Sequence, residues 1–142
     1  MQVIQRKEAT KITRNRSLVF FSIVCIALGA LNLSAQTPTR IKFARGAVSA
    51  SVTGKLTGFS DKKTYVIKVR AGQTLRTRQT GKNYITISIK DPNGDDVSDA
   101  DASCNDRKEV TPTVAGDYVL TVVQCQKADE WRGTFRFRVT VR

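Results

Sequence analysis

The chain has 142 residues, with 24 Lys/Arg against 12 Asp/Glu, a formal net charge of +12 and no histidine. That length calls for one folded domain. The missing imidazole excludes Ser-His-Asp and Cys-His catalysis and every histidine-ligated metal site.

Arg6, Lys7, Lys11, Arg14 and Arg16 open the chain as a positive stretch, and Leu18 to Leu31 follows as an uncharged, mostly apolar run. A membrane-spanning helix needs about 20 such residues, whereas a shorter run after basic residues fits a secretory signal. Leu33-Ser34-Ala35 supplies a small residue at the cut. We therefore expect residues 1–35 to be a signal peptide and residues 36–142 to be one exported domain, with no transmembrane segment after cleavage. An uncleaved N-terminal anchor is the alternative. Cys25 sits inside the apolar run, after Val24 and before Ile26, so it lacks the setting of a lipidated cysteine. Residues 1–35 hold five basic and one acidic residue, so the net charge of the exported part falls from +12 to +8. Outside the cell such a domain does not meet the chromosome, and no nucleic-acid partner is expected. Its charge either aids solubility or meets anionic envelope lipids, cell-wall polymers or an acidic protein.

From Gln36 on, the dominant period is two. Gln36 to Arg40 reads as a loose lead-in, and Ile41–Ala44, Ala47–Val52 and Thr74–Arg78 as short strands. Longer alternations follow. Tyr65, Ile67 and Val69 interleave with Thr64, Val66, Lys68 and Arg70; Ile85, Ile87 and Ile89 with Thr86, Ser88 and Lys90. Tyr118, Leu120 and Val122 share one face, and Phe135, Phe137, Val139 and Val141 another, against Arg136, Arg138, Thr140 and Arg142. Apolar-in, polar-out alternation marks half-buried strands. Ala71-Gly72-Gln73, Asp91-Pro92-Asn93-Gly94 and the Pro112 to Gly116 stretch carry turn chemistry. No window keeps a 3.6-residue stripe. Seven to eight strands in about 100 residues predict an all-β, antiparallel, jelly-roll-like sandwich. Asp91 to Glu109 reads as one long loop. Cys104 and Cys125, an even pair in an exported chain, are expected to form a disulfide.

Sites with chemistry are few. Asp91, Asp95, Asp96, Asp99, Asp101 and Asp106 cluster on that loop, where solvated acids are the simpler reading than a carboxylate pair across a cleft. Asp91, Asn93 and Asp95 have spacing that some calcium loops use, but no glutamate closes the loop at its twelfth position, and turn chemistry accounts for Asp-Pro-Asn-Gly. No cofactor or metal is expected. Arg136, Arg138 and Arg142 leave one face of the last strand, and Arg76 and Arg78 one face of another; in one sheet they form a basic patch able to grip phosphate or carboxylate. Arg136 and Arg138 are the expected anionic-ligand residues. Trp131, beside Arg132, is either an exposed anchor or a lid over the sandwich end, and the lid is the simpler reading.

The segments "RIKFARGAVSASVTGKLTG", "YVIKVRAGQTL", "ITISIKDPNG" and "AGDYVLTV" occur in an order that resembles the bacterial pre-peptidase C-terminal β-sandwich domains. Among these, the lone secreted form is similar to the periplasmic inhibitors of g-type lysozyme. The resemblance spans about residues 41 to 142. It implies a periplasmic or secreted inhibitor whose partner is a g-type lysozyme; the lack of histidine makes a non-enzymatic role the expectation, and the Arg136/Arg138 face offers the alternative of an accessory module for anionic glycan, lipid or protein surfaces. The family's Ser-Gly-x-Tyr loop, understood to enter the lysozyme cleft, corresponds to Ala115, Gly116, Asp117 and Tyr118, with alanine in place of serine. The residues alone leave this loop open between a structural turn and a partner-facing tip.

Overall fold

The computed structural model describes residues 36–98, 104 and 107–142. The expected signal peptide lies outside the described residues, as do Cys25, Asp99, Asp101 and Asp106. Among the described residues there are eight strands: β1 Thr39–Arg40, β2 Ser49–Leu56, β3 Lys62–Val69, β4 Leu75–Gln79, β5 Ile85–Lys90, β6 Arg107–Val110, β7 Gly116–Gln124 and β8 Gly133–Val141. They form two four-stranded sheets, ordered β1-β3-β7-β5 and β2-β8-β4-β6. The all-β sandwich is thus as expected. No described helix is long and apolar enough to cross a membrane.

The alternations become the two facing layers. Ile67 and Val69 of β3, Leu120 and Val122 of β7, and Ile85, Ile87 and Ile89 of β5 come from one sheet. Val52 and Leu56 of β2, Leu75 of β4, and Phe135, Phe137, Val139 and Val141 of β8 come from the other. β-branched and aromatic residues suit a pleated, half-buried surface, which is why these stretches pair as strands. Tyr65 bridges the layers, edge-on to Phe135 (6.4 Å) and Phe137 (5.8 Å). Gly54, inward on β2 opposite Phe135, makes room for this cluster. A Cβ there would lie 2.5 Å from Phe135 Cζ and 2.6 Å from Tyr65 Oη.

Three expectations need correction. Ile41–Ala44 is not a strand; pairing sits just before it, in the segment expected to be a loose lead-in. There β1 runs parallel to β3, with Thr39 opposite Tyr65, and the Ile41 amide donates to Val66 O (2.8 Å). The lead-in is thus an edge strand, and the other pairs among the described strands are antiparallel, as expected. The Asp91–Glu109 loop ends earlier than expected, because Arg107–Val110 pairs with β4. "RKEV" is too short and charged for alternation to show, and its pairing comes from the edge β4 offers it.

The loops gather at two ends. The Gly116 end holds residues 41–48, 70–74, 91–98 and 111–116. The Trp131 end holds residues 57–61, 80–84 and 125–132. Cys104 is bonded to Cys125, with Cα atoms 5.3 Å apart, so the β5–β6 connection is stapled at the Trp131 end.

Candidate functional site

The Gly116 end is built on a frame of backbone bonds. The chain enters it through a cis Thr111–Pro112 peptide. Thr113 is buried between two loops. Its amide donates to Gln73 O (2.9 Å), its carbonyl accepts from the Gly72 amide (2.8 Å), and its hydroxyl donates to Arg70 O (2.6 Å). Buried polar groups satisfied in this way hold two loops in one arrangement.

Gly116 opens β7 with φ +148°, a region that side chains rarely adopt. A Cβ there would lie 2.5 Å from Pro92 Cγ, so glycine lets the Asp91–Gly94 turn close against the loop. Asp91 caps that turn: its Oδ1 accepts from the amides of Asn93 (2.8 Å) and Asp95 (3.0 Å). These contacts are the Asx-turn chemistry of such a sequence. Among the described residues no group of three His, Cys, Asp or Glu gathers as a metal site.

Tyr118 points into the sandwich and is 1% exposed. Its hydroxyl turns back toward the loop and accepts from the Val114 amide (3.0 Å). Asp117 points the opposite way, out of the sheet, and takes both Arg40 nitrogens (3.0 and 2.7 Å). Of the four residues singled out from the sequence, Ala115 is exposed at the tip, Gly116 is half-buried, Asp117 is ion-paired and Tyr118 is core. The exposed large apolar residue of the tip is Val114 (46%), which the sequence reading did not single out. Its position before the glycine turn was the one signal available.

Beside the tip runs an open groove of about 640 Å³. Phe43, Val48, Ala115 and Val141 give it apolar walls, and Lys68 and Arg70 lie on its rim. Val48 is 52% exposed.

The Arg40–Asp117 pair ties the lead-in to β7. Hydrogen bonds from Arg40, with its charge and that of Lys68, hold the Asp117 carboxyl below the usual aspartate range. A carboxyl with a lowered folded pKa stabilises fully above its ordinary pKa, about 3.9, and that stabilisation fades as pH falls through the folded value. The Ile41 amide is therefore expected to lose hydrogen-exchange protection on acidification from about pH 6 to about pH 3. Asp117→Asn should show the low protection at both pH values; pH-dependent loss persisting in that variant would count against this pair as the cause.

The basic residues fall on one face, because β4 and β8 are neighbours in one sheet. Arg78 stands opposite Arg138 in the ladder, and Arg76 opposite Thr140. Arg138 and Arg142 line a shallow cleft with Arg76 and Arg78; Arg136 lies on the same face, two residues along β8 toward the Trp131 end. Trp131 packs against the core as a lid. The Gln124 side chain bonds both its backbone amide and its carbonyl, and its Nε1 donates to Tyr84 O (3.2 Å).

No protein-family model matches the chain, and no curated protein matches it in sequence. Solved structures do share its fold. Aeromonas hydrophila PliG, a periplasmic lysozyme inhibitor of g-type lysozyme, is similar with a TM-score of 0.61 and 21% identity, over 75% of this chain and 96% of that one. Salmonella Typhimurium PliG gives 0.56 and 18%, over 75% and 98%. A mutant of the Escherichia coli PliG gives 0.54 and 18%, over 74% and 97%. The likeness is one of fold, and it agrees with the resemblance read from the sequence segments.

Proposed function

We propose that this chain is a non-enzymatic periplasmic protein that inhibits a g-type lysozyme, and that it meets the enzyme with its Gly116 end. The observation that carries this is the Val114–Ala115 tip, an exposed apolar point fixed by buried Thr113 and Tyr118. A tip already held in one conformation loses little entropy on docking, which favours plugging a concave site. In this reading Gly116 and Tyr118 position the tip, and Val114 and Ala115 make contact. The groove beside it receives a protruding apolar group of the partner. Glycoside-hydrolase clefts carry paired carboxylates, which the Lys68 and Arg70 rim complements in charge. A disulfide and the fold shared with periplasmic inhibitors support the compartment. The absence of histidine supports a role without catalysis.

Titration of a g-type lysozyme with the protein tests this. Val114→Asp and Ala115→Arg are each expected to weaken inhibition about 100-fold, as central contacts do. Both positions are exposed, so the unfolding midpoint should hardly move. No inhibition by the unmodified protein, or undiminished inhibition by both variants, would overturn the assignment.

A further inference from the structure

The outer face of the β2-β8-β4-β6 sheet carries a feature that the inhibitor reading does not use. The ladder places Arg107 opposite Arg78, and Arg78 opposite Arg138. Neighbouring strands are about 4.8 Å apart, so three arginines leave one face in a single row. They line a cleft of about 380 Å³ together with Arg76, Thr140 and Arg142. Among the described residues Glu109 is the one acid that lines it, and Arg76 already holds it (2.6 and 3.2 Å). Among the described residues Arg78, Arg107, Arg138 and Arg142 form no ion pair.

Like charges directly opposite each other destabilise a sheet. The fold does not require them. On the outer face of the other sheet, the equivalent kind of row is Thr64, Thr121 and Ser88. A repulsive row kept beside a cleft is what an anion site looks like before its ligand arrives.

We propose that this cleft binds clustered phosphate groups, with Arg78, Arg107 and Arg138 as the principal contacts. The planar guanidinium fork fits oxyanions in pairs of hydrogen bonds. A carboxylate brings one charge, whereas a phosphomonoester brings about −1.5 to −2, so two adjacent phosphates neutralise the row and a lone carboxylate does not. Among the described residues no aromatic side chain lines the cleft, so nucleobases find no stacking platform there and the phosphate itself is what is read. Thr140 of β8 also lines the cleft and adds a hydroxyl.

Two sources share this chemistry, a soluble polyphosphate and a phosphate-bearing lipid headgroup, and two arms separate them. The first is calorimetric titration with tripolyphosphate at low salt; the second is co-sedimentation with vesicles containing phosphatidic acid. In either arm, Arg78→Gln combined with Arg138→Gln is expected to weaken binding at least about tenfold, with a shallower salt dependence. Lys62→Gln combined with Lys90→Gln removes the same charge from the other sheet and should change binding less than about twofold. Without ligand the arginine double variant should be no less stable than the parent, because repulsion is relieved. Binding in the first arm assigns a soluble phosphate, and binding in the second alone assigns the lipid. Equal weakening by both double variants would mean that net charge is all that is sensed, and would overturn the site. So would binding in neither arm, or citrate binding as tightly as tripolyphosphate. Lysozyme inhibition by the arginine double variant should be unchanged.

Discussion

Truncation of Tyr118 to alanine is expected to lower the unfolding free energy by about 3–5 kcal/mol, the cost of deleting a large buried aromatic and leaving a cavity. Folded domains are stable by about 5–15 kcal/mol in all, so this one change removes a large share. Tyr118 is among the largest fully buried side chains of the sandwich. Inhibition should fall with it, because the cavity left by the buried ring unseats the loop that carries Val114. Tyr118→Phe separates positioning from contact. It keeps the ring, gives up one hydrogen bond and should cost about 1 kcal/mol. If the tyrosine only positions the tip, inhibition by Tyr118→Phe stays within a few-fold of the parent. A loss of inhibition far exceeding the loss of stability, measured by urea unfolding beside the titration, would instead place the hydroxyl in contact with the enzyme.

The second large effect is expected from the disulfide. Cys104 and Cys125 are 21 positions apart, and closing a loop of that order stabilises by about 3 kcal/mol in the chain-entropy model. Cys104→Ser with Cys125→Ser should therefore lower the thermal midpoint by about 10–15 °C for a domain of this size. Cys125 is buried directly after β7, and its amide bonds Tyr84 O (3.2 Å), so the staple anchors at a packed point. Dithiothreitol should shift the parent by a similar amount and leave the double variant unmoved. A midpoint insensitive to reductant in both would show that the bridge does not constrain the unfolded chain. The bridge sits at the Trp131 end, away from Val114 and Ala115. Below its lowered midpoint, the double variant should still inhibit.

Glycine at 116 and tyrosine at 118 match the family's loop, yet here the first makes room for Pro92 and the second is buried in the core. Alternation shows that Tyr118 and Leu120 share a face, but it does not say which face is inside until the second sheet is present. Once β8 supplies Phe135 and Phe137, burial of Tyr118 follows, and Asp117 must point outward toward Arg40. The exposed tip then moves one or two residues upstream, to Val114 and Ala115. Gly54 was equally unreadable. A glycine within "SVTGKL" looks like a weak strand position until Phe135 and Tyr65 are found converging on it.

By itself the sequence determined everything that depends on local periodicity and turn chemistry. The four longer strands, the Asp91–Gly94 turn, the pairing of Cys104 with Cys125 and the lack of imidazole chemistry all follow from residue types read along the chain. Tertiary structure decided what depends on partners far apart in the chain. It placed β6 on the free edge of β4 and laid Arg40 beside Asp117. It also brought Arg107, Arg78 and Arg138 into one row. Strand pairing is set by which edges remain free after the core has closed, and no local pattern of side chains records that.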